Sequence, residues 1–315
     1  MQLNKIINTD KPNIKYLWFM FLPILVVVVI QYSVIIGDVI FLFIKNILSS
    51  KEVARDASIE FIMNSDFKQP MNKAYMTLIQ YLIYILVFGL WYYKAFCKPE
   101  IMVNTKNSKA NNAADNSYLK TTLGYMRDKL LTIKTIYLVI AGYMAQLMVD
   151  GILTLVEPYF KDLFANYGKM VDSLIGVSSS WVLLFAVIFV APIGEELVFR
   201  GVIQHYGFKN FAPAFAIGLQ GLIFGLYHGN IIQGIYAFFM GVVLGFVAHK
   251  LGSIIYSMVL HISVNASLLL VPEVLYDTTP RTIITTIISG IAFAGMIWLT
   301  VNNKSKNKKD SSPQS

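Results

Sequence analysis

Charge is scarce in this sequence: Asp, Glu, Lys and Arg make up 14% of its 315 residues, and cysteine occurs once, as Cys97. A soluble domain carries about 25% charged residues, so a water-facing surface over the whole chain is excluded. A single cysteine excludes an internal disulfide framework and any multi-cysteine metal site. The aromatic residues are not interleaved with basic ones as a nucleic-acid groove requires, so no nucleic-acid partner is expected.

What is present is apolar, with hydrophobic residues at 56% of the chain. Several windows of about 20 apolar residues are each long enough to cross ~30 Å of hydrocarbon. The expected fold class is an all-α polytopic membrane protein with about eight transmembrane helices. Their expected positions are roughly 16–44, 75–96, 135–156, 179–206, 211–228, 231–250, 253–272 and 282–301. The first and fourth exceed a usual span, which implies tilt or extension into the interface. No cleavable signal peptide is expected. Lys5, Lys11 and Lys15 precede an apolar stretch from Leu17 to Ile44 that is too long for a signal core.

The net charge of +8 reads as cytoplasmic loop bias and attraction to anionic lipid. The loop at 97–134 and its edges carry Lys94, Lys98, Lys106, Lys109, Lys120, Arg127, Lys129 and Lys134 against Glu100, Asp115 and Asp128. The tail adds Lys304, Lys306, Lys308 and Lys309, whereas the loop at 46–74 balances its charges. An even number of spans puts both termini on one side, so both are expected to be cytoplasmic. Within the basic loop, "NTKNSKANNAADNS" (104–117) reads as a flexible linker. In "YLKTTLGYMRDKLL" (118–131), Leu119, Leu123, Met126 and Leu130 recur at helical spacing, which suits a surface helix or an amphipathic lead-in to the third span.

Few ionisable groups fall inside the later helices: Glu195, Glu196, Arg200, His228 and His261. A charge at mid-bilayer costs about 3 kcal/mol on insertion scales, so such groups are functional candidates by default. In "APIGEELVFRGV" (191–202), Glu196 and Arg200 are four residues apart, share a face and suit an ion pair. Glu195 is rotated by about 100° from Glu196 and is left to aim elsewhere. Pro192 removes a backbone hydrogen bond and loosens the helix beside it. "FGLYHG" puts Phe224 and His228 on one face at a helix end, and "HISVN" puts His261 and Asn265 on one face of another.

Converging on a cavity, these groups suit hydrolysis. Glu195 and His228 would activate a water, while His261 and Asn265 would donate to a developing oxyanion. A metal reading is also open, with Glu195, His228 and His261 as ligands and water in the fourth position of a divalent ion such as zinc. The sequence has no H-E-x-x-H, the local signature of many zinc sites. Counting ~1.5 Å per residue from the cytoplasmic side puts Glu195 about 16 Å deep, His228 about 25 Å and His261 about 13 Å. Convergence therefore requires the fifth helix to be tilted, or short and re-entrant.

The three motifs, Glu195-Glu196-x-x-x-Arg200, Phe224-x-x-x-His228 and His261-x-x-x-Asn265, resemble in kind and order those of the CPBP family. These are the CAAX-protease and bacteriocin-processing intramembrane peptidases, related to the type II CAAX prenyl endopeptidases. The resemblance divides the chain into N-terminal helices (1–178), a catalytic core (179–272) and a last span with a basic tail (273–315). It implies an intramembrane endopeptidase, with Glu195 and His228 activating water and His261 and Asn265 forming an oxyanion hole. Glu196, Arg200 and Phe224 would serve as structural support. The implied partners are the lipid bilayer and a peptide or membrane-protein substrate, and the implied location is a bacterial cytoplasmic membrane. A scaffold or bacteriocin-immunity protein that keeps the fold without hydrolysis is the alternative, and a coupled transporter a third.

Blander roles are expected elsewhere. His205 and His249 read as solvated residues at helix ends, and Asp38 and Asp150 as acids that reach the interface. Gly218, Gly221, Gly225, Gly241 and Gly245 read as close helix packing. Phe224 reads as packing that positions His228, and Glu195 itself could be a structural acid sharing Arg200.

Overall fold

Apolar runs punctuated by proline, glycine and capping side chains fold into nine helices among the residues that the computed structural model describes, 14–49, 70–97, 127, 129–175 and 180–303. The polar linker, most of the proposed surface helix and the basic tail lie outside them. The helices are α1 (Ile14–Ser49), α2 (Pro70–Tyr92, with one wide turn more to Cys97) and α3 (Ile133–Val156). Then follow α4 (Lys161–Ile175), α5 (Trp181–Gly207), α6 (Pro213–Tyr227), α7 (Ile231–Leu251), α8 (Ile254–Ser267) and α9 (Thr279–Asn302). No strand occurs among the described residues.

Six helices, α1, α2, α3, α5, α7 and α9, are long and apolar enough to cross a membrane. The other two that the sequence reads as full spans fall short. With 15 residues in α6 and 14 in α8, each extends little more than 20 Å at ~1.5 Å per residue. Gly229, at φ +67°, ends α6, and the Asn230 side chain caps α7 by accepting from Gln233 N at 3.1 Å. Ser253 caps α8 in the same way, accepting from Ile255 N at 3.3 Å.

Helix α4 is absent from the sequence reading. Its apolar positions Leu163, Phe164, Tyr167 and Met170 line one face, while Lys161, Asp162, Lys169 and Asp172 break any continuous apolar run. Such a helix shows in periodicity, not in hydropathy. It docks on α7, where the Tyr167 and Tyr236 hydroxyls lie 3.4 Å apart.

Helix α5 is the centre of the molecule. Its most apolar window is 67% buried, against 11% for α9 and 17% for α1. Leu197, Val198, Phe199, Val202 and Ile203 of α5 pack with Met20 and Val27 of α1, Tyr84 and Phe88 of α2 and Phe224 of α6. A second cluster joins Leu138 and Ala141 of α3, Leu244 and Val247 of α7, and Tyr256 and Leu260 of α8. The outer faces of α1 and α9 leave Trp18, Leu25, Ile288, Ile291 and Trp298 exposed, a surface suited to lipid. At one end of the bundle, the Lys209 ammonium sits 4.7 Å from the Tyr16 ring, 5.1 Å from Phe96 and 5.2 Å from Tyr206, tying α1, α2 and α5 together. Burial there lowers its pKa.

Four of the five glycines expected at close contacts are at them. A Cβ on Gly225 would lie 2.5 Å from the Gly234 carbonyl oxygen, and one on Gly221 2.8 Å from Val242. One on Gly241 would lie 3.0 Å from Gly221, and one on Gly245 2.6 Å from both Gln204 and Gln220, whereas Gly218 meets nothing within 4 Å. Gly225→Ala is therefore expected to push α6 off α7 and cost about 1–3 kcal/mol. Gly218→Ala should be neutral or slightly stabilising, since alanine is the better helix former. Thermal unfolding of the two variants in detergent checks the contrast.

Candidate active site

The site begins with a backbone irregularity in α5. The Ala191 N–H reaches back five residues to the Ala186 carbonyl, which bypasses Val187. The residue five after Val187 is Pro192, which has no N–H to give. The Val187 carbonyl is taken instead by Asn265 of α8, whose Nδ2 donates to it at 2.9 Å. A second wide turn follows, in which the Gln204 N–H bonds to the Phe199 carbonyl. The bypassed Arg200 carbonyl accepts from His205 Nδ1 at 2.7 Å. His205 is thus no solvated end residue: its ring also packs against Phe96 at 4.9 Å and Tyr92 at 5.4 Å. His249 is likewise packed, 5.1 Å from the Phe208 ring. Wide turns of this kind recur at functional sites.

Between the two irregular turns stand Glu195 and Glu196, 5% and 0% exposed. Glu196 Oε1 accepts from Arg200 Nη1 at 2.9 Å and from His261 Nδ1 at 2.9 Å. Arg200, fully buried, also donates from Nη2 to the Gly241 carbonyl of α7 at 3.0 Å. The ion pair expected between Glu196 and Arg200 is present. His261 is placed differently from its expected pairing with Asn265: it bridges the two glutamates, with Nε2 3.7 Å from Glu195 Oε2. Two carboxylates thus meet one guanidinium and one imidazole ring.

His228 closes the site from the end of α6. Its backbone N–H bonds to Gly225 rather than Phe224, and its side-chain Nδ1 donates to the Phe224 carbonyl at 2.8 Å. A carbonyl only accepts, so the neutral ring carries its proton on Nδ1 and presents Nε2 as an acceptor. The Phe224 ring is the partition around which the site is built. It lies edge-on to His228 at 4.7 Å and to His261 at 5.7 Å, and 4.5 Å from the Arg200 guanidinium.

Tyr81 and Tyr227 belong to the same layer and have no place in the sequence reading. Tyr81 of α2 donates to Glu195 Oε1 at 2.7 Å, and its hydroxyl lies 3.3 Å from that of Tyr227. Tyr227 in turn touches the Phe199 ring at 5.4 Å and His228 at 5.6 Å. Tyrosines abound in apolar helices, and nothing local in the sequence marks these two.

The alternative ligand set is Glu195, His228 and His261. Among the described residues no three His, Cys, Asp or Glu side chains are grouped to hold a metal ion. His261 and His228 each commit Nδ1, to Glu196 and to the Phe224 carbonyl, which leaves Nε2 of each ring facing the site.

This is an integral, multi-pass helical membrane protein with carboxylates and imidazoles from three helices meeting in its interior. Residues 177–267, under a third of the chain, match the family model of the Rce1-like type II CAAX prenyl endopeptidases. The match covers α5 to α8, and α5, α6 and α8 supply the three motifs. No curated protein and no solved structure matches the chain.

Proposed function

We propose that the chain is an intramembrane endopeptidase that hydrolyses a peptide bond at the centre formed by α5, α6 and α8. One observation carries this reading: His228 is locked with Nε2 as an acceptor, and the Phe224 ring that packs on it at 4.7 Å also packs at 5.7 Å on His261, whose Nε2 is 3.7 Å from the buried carboxylate of Glu195. A water held between them loses a proton as its oxygen attacks the carbonyl carbon. The oxyanion that forms is held by the second N–H of the Asn265 amide, whose first is committed to Val187, and by His261 Nε2, which donates in the imidazolium form because Nδ1 is committed to Glu196. As the C–N bond breaks, the proton passes to the departing amine. Glu196 and Arg200 keep His261 in place, and Phe224 keeps the two imidazoles apart.

The substrate is a peptide or a segment of a membrane protein, and the bilayer is the enzyme's solvent. Lys209 and Lys250 lie at the ends of α5 and α7. With the basic loop after α2, they support a cytoplasmic placement of that face and of both termini, in a bacterial cytoplasmic membrane.

The deciding experiment is cleavage of a library of internally quenched peptides, prenylated and unprenylated, by the purified protein in lipid nanodiscs with and without 1,10-phenanthroline. Cleavage that persists with the chelator is the expected result. Loss with the chelator and recovery on adding zinc would transfer Glu195, His228 and His261 to a metal-ligating role. No cleavage of any peptide would favour the non-proteolytic scaffold.

A further inference from the structure

We infer that Tyr81, on α2 and outside the segment matched by the family, is a positioning residue for Glu195. The inference rests on the reading of Glu195 as the water-binding carboxylate. Among the described residues, Glu195 has two contacts with polar side chains, and they are unequal: Oε1 accepts from Tyr81 at 2.7 Å, while Oε2 stands 3.7 Å from His261. The first is a short, charge-assisted hydrogen bond, the second beyond hydrogen-bond reach. Orientation of the carboxylate therefore depends on Tyr81.

The approach of α2 is prepared in the chain. A Cβ on Gly194, immediately before Glu195, would lie 3.2 Å from the Tyr81 ring and 3.4 Å from its carbonyl oxygen. Glycine there lets the two helices close until the phenol reaches the carboxylate. Tyr81 is braced on its other side by the edge of Tyr84, with ring centres 5.4 Å apart at 85°. Tyr84 is itself buried against α1, its hydroxyl 3.4 Å from the Val27 carbonyl oxygen. The Tyr227 hydroxyl, 3.3 Å from that of Tyr81, is placed to donate to it and leave the Tyr81 proton for Glu195. The N-terminal helices thus contribute to the site as well as to the packing.

A structural role alone, that of satisfying a buried carboxylate, makes different predictions. Tyr81→Phe keeps the ring and removes the hydroxyl. The inference expects kcat on the fastest-cleaved library peptide to fall about 10–100-fold through misplacement of the carboxylate. KM should stay within about twofold and the unfolding temperature should hold. In a Glu195→Gln background the same substitution should cause no further loss. Labelling by dicyclohexylcarbodiimide, an apolar reagent for carboxyls within membranes, needs no substrate. Mass-spectrometric mapping should show Glu195 of Tyr81→Phe labelled severalfold faster, with Glu196 unchanged. Unchanged kcat together with unchanged labelling overturns the inference. So does an equal loss of cleavage in both backgrounds, because the hydroxyl would then act on the fold. Wild-type cleavage by Glu195→Gln would instead overturn the reading of the site, and the labelling rates would still decide whether Tyr81 holds the carboxyl.

Discussion

Glu195→Gln is expected to fold normally and to lose cleavage by about 10²–10⁴-fold, the range a positioned base contributes. The substitution is nearly isosteric. The amide oxygen of glutamine can still accept from Tyr81, which stands 2.7 Å from Oε1 in the native chain. Its NH₂ faces His261 in place of Oε2. The buried ion pair between Glu196 and Arg200 is untouched, so unfolding in detergent should match the parent. What the amide cannot do is take a proton from water. His228→Ala should lose activity on a similar scale, because it removes the only group offering a ring nitrogen from α6. If the two act as a unit on one water, the double variant should be little worse than the more damaged single one. Parental cleavage rates in Glu195→Gln, measured on the same quenched peptide, would overturn the assignment outright.

The features legible in the sequence are those governed by local spacing. Apolar runs marked every span-length helix, because crossing a bilayer demands unbroken hydrophobic length. The bond between Glu196 and Arg200 was legible because residues four apart share a helix face. Helix α4 escaped because its charges interrupt the apolar run that its face conceals. The rest of the site depends on which helices meet, and spacing within one helix carries no information on that. His261 and Asn265 share a face, yet one bridges two glutamates while the other caps a carbonyl freed by a wide turn and a proline. Tyr81 lies 114 residues from Glu195, and only the packing of α2 against Gly194 brings them together. Proline loosening was visible at Pro192, but which carbonyl it would orphan was not, since that follows from the i−5 bond at Ala191.

Arg200→Leu should be the most destabilising single change in the core, at about 3–5 kcal/mol, because it leaves a buried charge without its partner. Neither Arg200 nor Glu196 has measurable exposure, so water cannot replace the lost guanidinium. The Gly241 carbonyl is the lesser casualty, because Gln220 Nε2 also donates to it at 2.7 Å. Glu196 is the greater one: it keeps its bond from His261 and loses its formal counter-charge. Arg200→Lys should recover only part of the loss. An ammonium is a compact point charge, whereas the guanidinium reaches Glu196 from one nitrogen and Gly241 from another. The informative variant is the pair Glu196→Gln with Arg200→Leu. It deletes both charges, and the glutamine oxygen can still accept from His261. Replacement of a whole buried ion pair is often close to neutral, so the double variant should unfold nearer the parent than Arg200→Leu does. Unfolding midpoints of the parent, the two single variants and the double variant form a cycle that measures the pair directly. Additive losses would mean that the charges are not coupled. Restored stability would show that Glu196 and Arg200 are a matched unit, each charge tolerated in the core because the other compensates it.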